Sequence, residues 1–122
     1  HSTNHYVTGR DGGRDLNLRI FADERDWNQF HSPKNIAMAL SVEVSELLEH
    51  FQWLTEDQSR NLDAKTKAEV ADEIADVQNY LVRLADKLDI DILEACTVKF
   101  EKNKQKYPAD VVRGSSKKYS DY

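Results

Sequence analysis

One cysteine, Cys96, stands in a chain of 122 residues, so no disulfide framework can form. No apolar run approaches the roughly 18 residues of a membrane span. No signal-peptide pattern is present either, and the expected compartment is the cytoplasm. A net charge of −5 leaves no broad basic surface, which excludes a nucleic-acid polymer as ligand. It does not exclude a nucleotide held through a metal. The chain lacks a Walker-type Gly-rich loop and any Ser-His-Asp or Cys-His arrangement. It also lacks strand-like alternation beyond a few residues and any repeat with a period of about 20–50 residues.

What remains is helical periodicity. The length sets one domain with a small core. A mean hydropathy of −0.73 with 32% charged residues means that much of each helix faces water or polar partners. Residues 1–13 are polar, Gly-containing and aperiodic, and are expected as a disordered arm, in part a cloning remnant. Residues 14–110 are expected as the folded domain and 111–122 as a polar tail. Leu16, Ile20, Trp27 and Phe30 predict a first helix from Leu16 to Phe30. Ser32 as N-cap and Pro33 at the first helical position open a second, reaching Trp53. Its stripe is Ile36, Leu40, Val44, Leu47 and Phe51. Residues 54–65 read as a loop. Thr66 with Glu69 forms a capping box for a third helix to Leu88, striped by Val70, Ile74, Val77, Leu81, Leu84 and Leu88. Asp89 or Asp91 starts a fourth, with Ile92, Cys96 and Phe100 on its apolar side, and Pro108 ends it. The expected fold is all-α, a four-helix bundle. Four short helices bury little area, so it is expected to oligomerise.

Two acid pairs dominate the polar positions, Glu43-x-x-Glu46 and Glu73-x-x-Asp76. An i,i+3 pair lies on one side of a helix, and each pair flanks its apolar stripe by one position. Four carboxylates brought together repel unless cations neutralise them. The spacing points to a hard-metal site for Mg²⁺, set against the plain alternative of solvated helix faces. A di-iron carboxylate bundle needs Glu-x-x-His on two helices. His50 is the only histidine near the acids, and Leu47 precedes it by three, so that reading fails. Trp27 and Trp53 are either packing residues or a stacking surface for a base. His31 either caps a helix junction or hydrogen-bonds a base or phosphate. Lys99, Asn103 and Lys106 share one helix face, either solvated or turned to phosphates. Cys96 is expected in the core.

The runs Glu24-Arg25-Asp26-Trp27 and Gln29-Phe30-His31-x-Pro33-Lys34-Asn35 resemble the opening motif of the MazG-like all-α nucleotide pyrophosphohydrolases, in particular the dCTP-pyrophosphatase subgroup. Glu43-x-x-Glu46 with Phe51-Gln52-Trp53 continues the likeness, as does Glu73-x-x-Asp76 with Tyr80-Leu81-Val82. Lys99, Asn103 and Tyr107-Pro108 resemble the family's last helix, and the segment from Arg113 to Tyr119 its tail. The likeness spans Asp15 to Tyr122, and five motifs in order are specific together. It departs at Gly114, where relatives often carry serine.

The resemblance implies hydrolysis of a (deoxy)nucleoside triphosphate to monophosphate and pyrophosphate, cleaning the nucleotide pool. It implies Glu43, Glu46, Glu73 and Asp76 as Mg²⁺ ligands. Trp27 and Trp53 match base-pocket aromatics, with Phe30 placed among them. His31, Tyr80, Lys99 and Asn103 match positions near base, sugar or phosphates. Lys99, with Lys106, is expected to stabilise the leaving group, and Glu46 to orient the water or take its proton. A homo-oligomer, dimer or tetramer, is implied, with no membrane partner. Two readings from other classes stand beside it: a non-catalytic nucleotide-binding or partner-binding helical module, and a purely structural dimerisation bundle.

Overall fold

A computed structural model describes residues 14–114. Among these residues every regular element is helical: α1 (Arg14–Glu24), a 3-10 turn (Asn28–Phe30), α2 (Pro33–Glu49), α3 (Glu56–Arg60), α4 (Ala64–Lys87), α5 (Ile92–Lys106) and α6 (Ala109–Val112). The chain divides into two compact units, residues 1–90 and 91–122. The first holds three of the four expected long helices, with α2 and α1 each packed on α4. The fourth, α5, belongs to the second unit. The expected arm at 1–13 and the tail beyond Gly114 lie outside the described residues.

The helix starts follow the side chains that cap them. Ser32 accepts from the Asn35 amide at 3.1 Å, with Pro33 at the first helical position. Asp91 accepts from the Glu94 amide at 3.0 Å and opens α5. The third helix starts earlier than its expected capping box. Asp63 accepts from the Thr66 amide at 2.7 Å, so Thr66 sits inside α4. The segment expected as a loop contains α3. There Thr55 and Gln58 form the reciprocal capping box, at 3.1 and 2.9 Å.

The helix ends hold the main correction. The first helix does not run to Phe30. It stops at Glu24, and Asp26 turns to φ 53°. The Trp27 amide reaches back to Ala22 O and the Asp26 amide to Asp23 O, which is the Schellman pattern. The end of α4 repeats it. Asp89 has φ 55°, with Ile90 N–H to Ala85 O and Asp89 N–H to Asp86 O. Both ends read Ala-Asp-x-x-Asp followed by an apolar residue. Aspartate occupies the left-handed position where glycine is the usual stop signal.

The buried core is Ala22, Ile36, Val70, Val82 and Ala85. Only part of each predicted stripe is covered. Ile36 and Val70 are buried, whereas Val44, Ile74, Leu81 and Leu88 are exposed in the single chain. Arg19 ties α1 to α4 through a two-point pair with Asp86, at 2.8 and 3.0 Å. In the second unit Cys96 is exposed, contrary to expectation, as is Phe100. The only other helix of that unit among the described residues, α6, has four residues and is too short to cover that side.

Candidate metal centre and adjoining cavity

Helices α2 and α4 pack side by side, and each contributes one acid pair. Oxygens of Glu43, Glu73 and Asp76 lie within 4.8 Å of one another. Glu46 stands beside this trio, close enough to help raise the carboxyls of both Glu43 and Glu73. One oxygen each of Glu43 and Glu73 (Oε2 in both) is buried without a partner. A buried, unpartnered carboxylate oxygen is costly. Burial pushes both carboxyls above their ordinary value, and the neighbouring acids add to it. Orphaned oxygens among converging carboxylates are what a hard divalent cation, which takes oxygen ligands, satisfies. The residues therefore fit a metal ion. Tyr80 is also pushed up, first by burial and then by Glu43, Asp76 and Glu46, so its phenol keeps its proton.

A cavity of about 400 Å³ lies between α1 and α4, with Asp76 in its lining. Its apolar side is built from Leu18 and Phe21 of α1 together with Trp27. Phe21 meets Trp27 edge to face at 5.4 Å, and Trp27 meets His31 likewise at 6.2 Å. The Schellman turn after α1 is what brings Trp27 back over this face. His31 Nδ1 accepts from Arg83 Nε at 3.3 Å, which leaves the imidazole proton on Nε2. Burial lowers the His31 pKa, and Arg83 and Lys87 lower it further, so the ring is neutral.

Of the residues singled out from sequence, Trp27, His31, Tyr80 and Asp76 come together on this cavity. Phe30 and Trp53 do not line it. Trp53 is 87% exposed in the single chain, because α2 ends at Glu49 and Trp53 falls in the turn beyond. Lys99, Asn103 and Lys106 lie on α5 in the second unit. Sequence reasoning missed Asn79 and Arg83, which both line the cavity. A signal was available. Asp76, Asn79, Tyr80 and Arg83 follow at i, i+3, i+4 and i+7, the spacing of one helix face.

Two helices that bring i,i+3 acid pairs together in one half-buried carboxylate cluster, beside an aromatic cavity, define an all-α protein with a site that could hold a metal. The chain belongs to the MazG-like family, whose family model matches residues 38–122. It is similar to dCTP pyrophosphatase 1 of Mus musculus, with 45% identity over 103 residues, 83% of this chain and 61% of the relative. The same protein of Homo sapiens is 42% identical with the same coverage. The chain thus spans about 61% of the length of these curated relatives. Among solved structures, it is similar to a pyrophosphatase from Archaeoglobus fulgidus DSM 4304. The TM-score is 0.71 and the identity 48%, covering 75% of this chain and 85% of that one.

Proposed function

We propose that the protein is a Mg²⁺-dependent pyrophosphohydrolase of deoxynucleoside triphosphates, dCTP or another dNTP, acting on the nucleotide pool. The observation that carries this reading is the pair of orphaned Glu43 and Glu73 oxygens, grouped with Asp76, which also lines an aromatic cavity. The names of the relatives support the same chemistry.

In this reaction water attacks the α-phosphorus, the bond from that phosphorus to the β-bridging oxygen breaks, and pyrophosphate departs. Glu43, Glu73 and Asp76 are the ligands, with Glu46 beside them. Mg²⁺ held there supplies neutralisation of phosphate charge and a lowered pKa for bound water. Glu46 orients the attacking water or takes its proton. Trp27 stacks on the base, and neutral His31 offers a donor from Nε2. Trp53 and Phe30, exposed in the single chain, are assigned to the base as further aromatics. Lys99, with Lys106, stabilises charge on the leaving pyrophosphate, and Asn103 contacts sugar or phosphate.

The acting species is a homo-oligomer, dimer or tetramer, supported by the apolar side chains that α2 and α4 leave exposed. No helix among the described residues is long and apolar enough to cross a membrane. The proposed compartment is the cytoplasm.

The test incubates the protein with each dNTP and Mg²⁺ and resolves the products. Monophosphate and pyrophosphate are expected, lost at least a hundredfold in Glu46→Ala and Asp76→Ala, about the scale of one catalytic group. Orthophosphate release without pyrophosphate rules out α–β cleavage. Tight binding of a non-hydrolysable analogue with no turnover favours a non-catalytic nucleotide-binding module instead.

A further inference from the structure

Arg83 is the one charged residue buried in the core among the described residues, 5% exposed, and it lines the cavity. A guanidinium has five N–H donors. Nε donates to His31, Nη1 to Asp86 Oδ2 at 3.5 Å, and Nη2 to Asn28 Oδ1. These contacts hold the fork rigid and leave one N–H on each terminal nitrogen uncommitted. Beside it, Asn79 gives its Oδ1 to Arg14 at 3.1 Å and keeps its amide N–H pair. Past Asp76, the α4 side of the cavity therefore offers donors. A buried cation that lines a cavity and keeps spare donors is matched by a ligand edge made of acceptors.

We infer that Arg83 selects the nucleobase by donating to two adjacent acceptors on its edge, favouring cytosine or guanine over adenine and thymine. Two N–H groups on neighbouring nitrogens suit two acceptors on neighbouring atoms. Cytosine presents O2 beside N3, and guanine presents O6 beside N7. Adenine and thymine alternate donor and acceptor, so one N–H of the fork would meet another donor. Trp27 stacks on any base and cannot make this distinction. The inference rests on reading the cavity as the base pocket of the proposed hydrolase, and it names the residue that reads the base.

The experiment measures kcat/KM of the full chain with Mg²⁺ on the four dNTPs and on 3-deaza-dCTP, in which a C–H replaces N3. Wild type is expected to prefer dCTP or dGTP over dATP and dTTP by about tenfold or more, with 3-deaza-dCTP losing a similar factor against dCTP. Arg83→Met is expected to compress the preference towards one. An equal loss on all four dNTPs in Arg83→Met would make Arg83 a structural staple and overturn the inference. Full activity of wild type on 3-deaza-dCTP overturns it with no variant needed. Calorimetry with α,β-imido analogues separates the two readings. Base discrimination in binding without pyrophosphate release removes the hydrolysis and keeps the Arg83 assignment. Pyrophosphate released equally from all four dNTPs removes the Arg83 assignment and keeps the hydrolysis.

Discussion

Glu43 and Glu73 each keep a buried oxygen without a partner, and burial and neighbouring acids hold both carboxyls above the ordinary 4.5. Over the range from that value upward, the folded chain binds more protons than the unfolded one. Their contribution to stability therefore falls as pH rises through the window. Asp63 acts in the opposite sense. Its carboxyl is lowered from 3.8 by the Thr66 amide, so its contribution is present above that value and lost as pH falls. The metal-free protein should thus lose melting temperature as pH rises from about 4.5, and Glu43→Gln or Glu73→Gln should flatten that decline. At neutral pH, Mg²⁺ should raise the melting temperature of wild type and leave both variants nearly unmoved, because only an ion bound to the native state stabilises it. Thermal scans at several pH values with and without MgCl₂ check both. A wild-type curve indifferent to Mg²⁺ would dismiss the metal centre.

Helix ends set where these residues stand. Ser32 fixes the start of α2, ten or more residues before its acids, by accepting from the Asn35 amide. Ser32→Ala should cost about 1 kcal/mol in urea unfolding. The two Schellman ends carry aspartate at positive φ, a conformation that strains a side-chain-bearing residue. Asp89 is exposed and directs no side-chain bond that would offset this, so Asp89→Gly should gain about 0.5–1 kcal/mol. Asp26 differs, because Gln29 Nε2 donates to its Oδ2 at 3.1 Å. Asp26→Gly should gain less, and it should also disturb the cavity, since this turn places Trp27. A drop in stability for Asp89→Gly, read by the same urea curves, would contradict the strain argument. These ends are why the periodicity predicts a first helix longer than the one formed. Glycine is the familiar stop signal, and here its position is filled by an acid that looks like an ordinary helix-face residue. The starts were more legible, because Ser-Pro and Asp before a helix state their role in the residue type itself.

At the scale of the molecule, Met38, Val42, Leu48 and Ile74 are each more than half exposed in the single chain. Apolar surface of that extent on paired helices supports the proposed homo-oligomer. Sedimentation should find wild type as a dimer or tetramer, and Val42→Glu or Leu48→Glu should shift it to lower mass and lower melting temperature. A monomeric wild type would refute the oligomer. Helical class, the stripes and the two acid pairs were determined by the sequence alone, because period and i,i+3 spacing are local properties of one helix. So was the candidate role of Trp27 and His31, through their place in a motif. Only the tertiary structure decided which acids form the close trio, that Glu43 and Glu73 each bury an unpartnered oxygen, and that Arg83 turns inward. Those outcomes depend on which helix packs on which. An arginine on a charged helix looks the same in sequence whether it faces water or the wall of a cavity.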